Sequence, residues 1–272
     1  MPHVHSSSYG ESRLRMLRVL RRGDRHDPKD LTVALRLEGD GAAMVPGEAI
    51  KNLVHRVARD EDHPAIESLA LAMAATILAE HPSVGLARVE IGEQPWARLE
   101  AGGKPQAQAF TPAGVERRTV SVSSNGTRAA VTAGIENLVL LRTTGFAPNA
   151  RGHMAEDAAA DGLQRLFIAS LSARWAYTSG EIAFVPYRQG VRAALIDTFA
   201  WAKERSAHET LRAIADMVLA TYQEISEITL SLQERPYRPV DLLELSRDGD
   251  TLFVARDEPV GTVEITVARE ST

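Results

Sequence analysis

The 272-residue chain contains no cysteine. That absence excludes disulfides, thiolate catalysis, cysteine-ligated zinc and iron–sulfur clusters together, and it suits a reducing compartment. Long apolar runs are also missing: nothing approaches the roughly 20 uncharged apolar residues of a membrane span. The opening Met-Pro-His-Val-His-Ser-Ser-Ser lacks the apolar centre of a signal peptide. The closing Glu270-Ser271-Thr272 is not a peroxisomal address. The expectation is a soluble, cytoplasmic protein with no membrane partner. Positive charge is not in excess either. Lys plus Arg number 31 against 36 Asp plus Glu, a net of −5, and a mildly acidic chain with scattered basic residues argues against nucleic-acid binding.

Several motifs are absent. Gly39-Asp40-Gly41 lacks the third glycine and the lysine of phosphate-binding loops and reads as a turn. There is no Gly-x-Ser-x-Gly elbow and no His-Glu-x-x-His. His3 and His5 read as a loose terminus rather than a metal pair, and Asn125-Gly126-Thr127 as a turn rather than a glycosylation site. No metal or organic cofactor is expected.

What is present is a folded chain, 44% hydrophobic and 25% charged, long enough for one large domain or two packed halves. Leu31, Val33, Leu35 and Leu37 alternate with Thr32, Ala34 and Arg36, the period of a half-buried antiparallel strand. Arg13–Leu20 can pair with it through the turn at 23–28. Pro46-Gly47-Glu48 opens a helix. A second helix runs over about 64–80, with Ile66, Leu69, Met73 and Ile77 on one stripe. Strand-like segments return at 86–91 and 96–99, followed by a turn at Gly102-Gly103-Lys104-Pro105. The second half repeats the order. Segments 120–123 and 129–141 flank the hairpin dipeptide Asn125-Gly126, and a strand follows over 166–177. Helices are expected over about 187–203 and 207–222, the latter with a stripe of Leu211, Ile214, Val218 and Tyr222. Alternating segments follow at 228–232 and 263–267. Each half reads β-β-α-α-β-β, an α+β arrangement of antiparallel sheet with helices on one face. Its open edges call for covering by further subunits. The divisions expected are 9–116 and 117–272. The segment 143–162, rich in Ala, Gly, Asp and Asn, reads as a surface loop or a lid.

Several stretches, in order along the chain, resemble the urate oxidase (uricase) family. They are Tyr9-Gly10 with Leu14-Arg15, Val45 to Asn52, Trp96-Ala97-Arg98, Gly103 to Phe110, Gly134-Ile135-Glu136-Asn137-Leu138, Ser172-Ala173-Arg174-Trp175, Ile225 to Leu232, and Phe253 to Gly261. The resemblance spans roughly 9–270. It implies the tunnelling fold, with two β-β-α-α-β-β units per chain, four chains forming a hollow barrel, and sites at subunit interfaces for planar purine- or pterin-like heterocycles. In uricases those sites oxidise urate with O₂ and no cofactor, in purine metabolism.

The family's working residues are mostly replaced. Glu11 stands for the lysine after Tyr-Gly, and Gly47 for the threonine that is its partner in moving a proton. Glu234-Arg235-Pro236 stands for the Asn-x-His relay, and proline cannot carry a proton. His208, between Ala207 and Glu209, stands for the glutamine that clamps the heterocycle edge. Phe146 is the only aromatic near the position of the stacking phenylalanine, which Pro148 matches without a gap. Arg165 matches the arginine that grips the oxo edge, and Lys51 and Asn52 persist. Cofactor-free oxidation needs the substrate stripped of protons, and each acid–base group is worth roughly 10²–10⁴ in rate, so efficient urate oxidation is not expected.

What remains suggests an acidic site. Glu11, His208 and Glu234 are the candidate catalytic groups, and Arg165, Gly47, Glu48, Phe146, Ala207 and Glu209 the candidate binding residues. Such a site favours an amino-bearing or cationic ring, because a carboxylate accepts hydrogen bonds from N–H groups. Three readings follow: a retasked enzyme, an inactive binding or structural protein of the same fold, and a true urate oxidase with a rearranged site.

Overall fold

The computed structural model describes residues 8–39, 44–60, 63–143, 166–201, 206–235, 237–239, 252–255 and 261–269. The chain divides into two compact units, Met1–Glu136 with Trp175–Arg188, and Asn137–Arg174 with Gln189–Thr272. In chain order the elements are β1 (Ser8–Arg22), β2 (Arg25–Gly39), α1 (Gly47–Asp60), α2 (Ile66–Glu80), β3 (Val84–Gln94), β4 (Trp96–Ala101), β5 (Lys104–Pro112) and β6 (Arg117–Ser124). The second set is β7 (Ala129–Arg142), β8 (Phe167–Tyr177), α3 (Phe184–Trp201), α4 (Ala207–Thr221), β9 (Ile225–Arg235), β10 (Tyr237–Pro239), β11 (Phe253–Ala255) and β12 (Thr262–Ala268). Both sets run two strands, two helices, a strand, a small hairpin and a strand. The β-β-α-α-β-β repeat is therefore present, with a hairpin inserted before each last strand.

In the first unit the strands lie in the order β1-β2-β3-β6-β7, antiparallel, with β1 at the edge. In the second the order is β7-β8-β9-β12, and β12 pairs antiparallel with β9. Neither order closes into a barrel. The alternating residues face the core: Leu31, Val33, Leu35 and Leu37 of β2 and Ile228, Leu230 and Leu232 of β9 are fully buried. Each such side chain contributes about 1.5–3 kcal/mol. The helices cover that face, α2 against β3 and β6, and α4 against β9 and β12. The α2 stripe of Ile66, Leu69, Met73 and Ile77 is buried, as are Leu211, Ile214 and Val218 of α4. The α4 stripe ends at Val218 rather than at Tyr222, which is the C-cap and only half-buried. α3 starts at Phe184, ahead of the expected 187, with Pro186 in its first turn, where a missing N–H costs nothing.

The turn expected at 102–105 is the tip of the β4–β5 hairpin. Arg98 fastens this hairpin to β2: its guanidinium donates to the carbonyls of Gln106, Ala107 and His26 and to Asp27 Oδ1 at 2.5 Å, and lies 5.0 Å over the Phe110 ring. Arg98 of the Trp-x-Arg motif and the terminal Phe110 therefore have structural roles. The segment 144–165, with all but the first residue of the loop or lid expected at 143–162, lies outside the described residues.

One buried charge pair was not legible in the sequence. Glu67, in the first turn of α2, is wholly buried and accepts from Arg188 Nη1 of α3 at 3.1 Å, while its other oxygen has no hydrogen-bond partner. Burial raises the Glu67 pKa against the pull of Arg188, and burial likewise pushes up the nearby Tyr177 phenol. Removing one partner strands the other charge, so Glu67→Ala should cost about 3–5 kcal/mol in urea unfolding, and the Glu67→Met/Arg188→Met pair should recover most of it. A carboxyl whose folded pKa is raised favours folding while protonated. The margin of the natural protein over Glu67→Gln should therefore shrink as pH rises from about 4.5 through the folded value. Urea titrations across that range check it.

Candidate functional site

The described candidate residues lie on both units, Glu11, Gly47 and Glu48 on the first and Ala207, His208, Glu209 and Glu234 on the second. The first group is built on β1 and the first turn of α1. Tyr9 lies opposite Leu37 and Glu11 opposite Leu35 in the β1–β2 ladder. Directly opposed residues share a sheet face, so Glu11 points to the face of the buried Leu35, where the helices lie. Gly10 precedes it of necessity: a Cβ there would stand 2.0 Å from the Leu35 carbonyl oxygen. Immediately after Glu11 the register shifts, and Leu14 next pairs with Val33. Arg13 within this bulge has φ +58°, a strained value for a non-glycine residue. The bulge leaves Ser12 and Arg13 both exposed and returns Leu14 to the inward face. Bulges of this kind often re-aim side chains beside active sites.

α1 meets Glu11 there. The Pro46 carbonyl accepts from the N–H groups of Ala49 and Ile50 at 2.9 and 3.1 Å, starting the helix. The Tyr9 hydroxyl accepts from Val45 N–H at 3.1 Å, tying the helix entry to β1. Gly47 leaves room for the carboxylate: a Cβ on it would lie 2.3 Å from Glu11 Oε1. Lys51, one turn on, has its Nζ 4.0 Å from Glu11 Oε1 and donates to Glu48 Oε1 at 3.0 Å. The hydrogen bond with Glu48, and then the charge of Glu11, raise the Lys51 pKa, so this group stays cationic at neutral pH. Glu11, Gly47, Glu48 and Lys51 are thus brought together. Its persistence from the family did not by itself place Lys51 beside Glu11; the four-residue step from Gly47 was the available signal.

The second group sits at the start of α4 and the end of β9. Ser206 is the N-cap of α4, and its hydroxyl accepts from Glu209 N–H at 3.1 Å. The Glu209 carboxylate accepts in return from Ser206 N–H at 2.8 Å. That capping box engages Glu209 structurally, while Ala207 is buried and His208 exposed beside it. Glu234 is half-buried near the end of β9, its N–H donating to the Gly261 carbonyl at 3.1 Å. Arg165 and Phe146 lie outside the described residues, as does Pro236. Among the described residues no group of three or more His, Asp or Glu is placed to hold a metal, and no helix is long and apolar enough to cross a membrane.

An open antiparallel sheet with helices packed on it, built twice in tandem, defines a two-repeat α+β protein of the tunnelling-fold kind. The chain belongs to the uricase family, whose model matches residues 9–123 and 131–264. It is 28% identical to the uricase of Arthrobacter globiformis, over 98% of this chain and 90% of that protein. It is 27% identical to the uricase of Danio rerio, over 97% and 94%. The crystal structure of the Arthrobacter globiformis uricase superposes with a TM-score of 0.85, covering 100% of this chain and 96% of that one. Urate oxidase from Bacillus sp. TB-90 superposes at 0.79 with 14% identity, covering 97% and 100%, a likeness of fold alone.

The α4 cap carries a prediction. Ser206→Ala should lower unfolding stability by about 1 kcal/mol. Combined with Glu209→Ala it should cost less than the sum of the two, since both changes open the same box. Thermal melts of the three variants read this.

Proposed function

We propose that this protein acts, without an organic cofactor, on a planar purine- or pterin-like N-heterocycle at the subunit interfaces of a homotetramer, and that efficient urate oxidation is not its reaction. Family membership supports the ring-shaped ligand and the fold. The observation that carries the departure from urate is the first unit's group: where the family's lysine and threonine are expected, this chain places a carboxylate, Glu11, and the glycine that leaves room for it. A carboxylate facing the ligand repels an anionic urate and accepts hydrogen bonds from a ring that donates them. Glu11, His208 and Glu234 are the groups proposed to move protons. Arg165, Gly47, Glu48, Phe146, Ala207 and Glu209 are proposed to surround the ring.

Two other readings have a specific observation each. Glycine at 47 and proline at 236 favour an inactive binding or structural protein, and the match along nearly the whole chain favours a urate oxidase with other proton-moving groups. One experiment distinguishes urate turnover, ring binding without it, and neither. Purified protein is incubated with urate in air, with urate absorbance and peroxide followed together, beside a thermal-shift panel of purines and pterins. The expected result is no urate turnover and stabilisation by an amino-substituted ring. Turnover at an ordinary enzymatic rate would contradict the proposal and establish the third reading. No turnover and no shift with any ring would establish the second.

A further inference from the structure

Resting on the reading that the site takes a planar N-heterocycle, we propose that Glu11, Gly47 and Lys51 act together as its specificity determinant. They select rings that present an amidine edge, an amino group beside a ring N–H, over rings that present an oxo group there. Glu11 would contact the ligand, Lys51 would be a positioning residue, and Gly47 would supply the space.

The geometry couples the three. The Glu11 carboxylate occupies the volume that any side chain at 47 would fill, since a Cβ there would stand 2.3 Å from Oε1 and 3.4 Å from the carboxyl carbon. A residue larger than glycine would therefore move the carboxylate rather than the backbone, because the obstructing atom is the end of a flexible chain. Lys51 holds the carboxylate on one side at 4.0 Å, a charge contact longer than a hydrogen bond, so it orients Glu11 and leaves it able to accept from a ligand. Glu48 anchors the Lys51 ammonium at 3.0 Å from the exposed side. The Glu11 side chain is 27% exposed, within reach of a ligand. The bulge at 12–13 fixes the direction in which the strand presents it.

A carboxylate has only acceptor positions, arranged side by side, and two parallel N–H donors match it as the two arms of a guanidinium do. An oxo group in place of the amino group turns one of those bonds into a meeting of two acceptors. The plainer role for an inward charge on an edge strand is to discourage edge-to-edge pairing, and that role gives no ring preference.

The test is isothermal titration of the full-length protein with pterin and with lumazine, which share a skeleton and differ by amino against oxo at one carbon. The natural protein should bind pterin more tightly. Glu11→Gln should weaken pterin by about tenfold or more, the scale of a charge-assisted hydrogen bond, and leave lumazine unchanged or improved. Gly47→Ala, which alters no charge, should shift the preference the same way, and the double variant should be no worse than Glu11→Gln alone. Lys51→Met should reduce the preference and Lys51→Arg retain it. Thermal melts identify any variant that fails to fold, and Glu11→Gln, the most conservative, then decides. A preference untouched by Glu11→Gln, or independent effects of the changes at 11 and 47, would overturn this inference while the ring-binding reading stands. Binding of neither ring by the natural protein, with no purine bound in its place, would overturn both.

Discussion

A carboxylate on the inward face of an edge strand is the constraint around which the first unit's site is arranged. Register puts Glu11 opposite the fully buried Leu35, where alternation calls for an apolar side chain, and its half-buried charge is met in part by neighbours. The neighbours are those of α1's first turns. Gly47 gives the carboxylate space, Lys51 gives it a counter-charge, and the hydrogen bond from Val45 to Tyr9 fixes the helix entry against the strand. An anion at this point thus depends on residues of α1 as well as of β1.

The scaffold repeats this backbone pattern in β7. In β1 a residue at positive φ, Arg13, follows Gly10 by three positions and precedes Leu14. In β7 Asn137, also at positive φ, follows Gly134 by three and precedes Leu138. A carboxylate stands ahead of each, Glu11 by two positions and Glu136 by one. The Asn137 N–H donates to the Ser172 hydroxyl at 3.4 Å. The buried alternation of β2 and β9 and the helix stripes carry the fold, and none of those residues is among the proposed site groups. The fold therefore rests on residues other than the proposed site groups, and fold alone does not fix the reaction.

Elements with a strong period were legible in the sequence. Leu31 to Leu37, the α2 stripe and Ile228 to Leu232 gave their strands and helix, and Asn125-Gly126 gave the β6–β7 turn. The β5 strand was not, because Lys104 to Pro112 has no sustained apolar alternation and is held by Arg98 of β4, which donates to the Gln106 and Ala107 carbonyls and, across more than 70 positions of chain, to His26 and Asp27 of β2. Glu67 escaped for a related reason: an acidic residue in a first helical turn reads as a dipole partner, and only the tertiary placement of Arg188 makes it a buried ion. At the site, sequence gave the identities at 11 and 47 but not their dependence on each other. That dependence is a distance between a side chain and an absent Cβ, which no local pattern encodes. Glu209 stands three residues after Ser206, the spacing of a capping box, and the reciprocal bonds with Ser206 give it that role beside the one proposed for it at the ring.

The most direct test of the account is a crystal structure of the protein with pterin bound. The account predicts the pterin amidine edge on the Glu11 carboxylate at roughly 2.7–3.0 Å, with Lys51 still beside that carboxylate and Gly47 facing it. Pterin held elsewhere, or Glu11 turned away from Gly47 and making no contact with the ring, would contradict it.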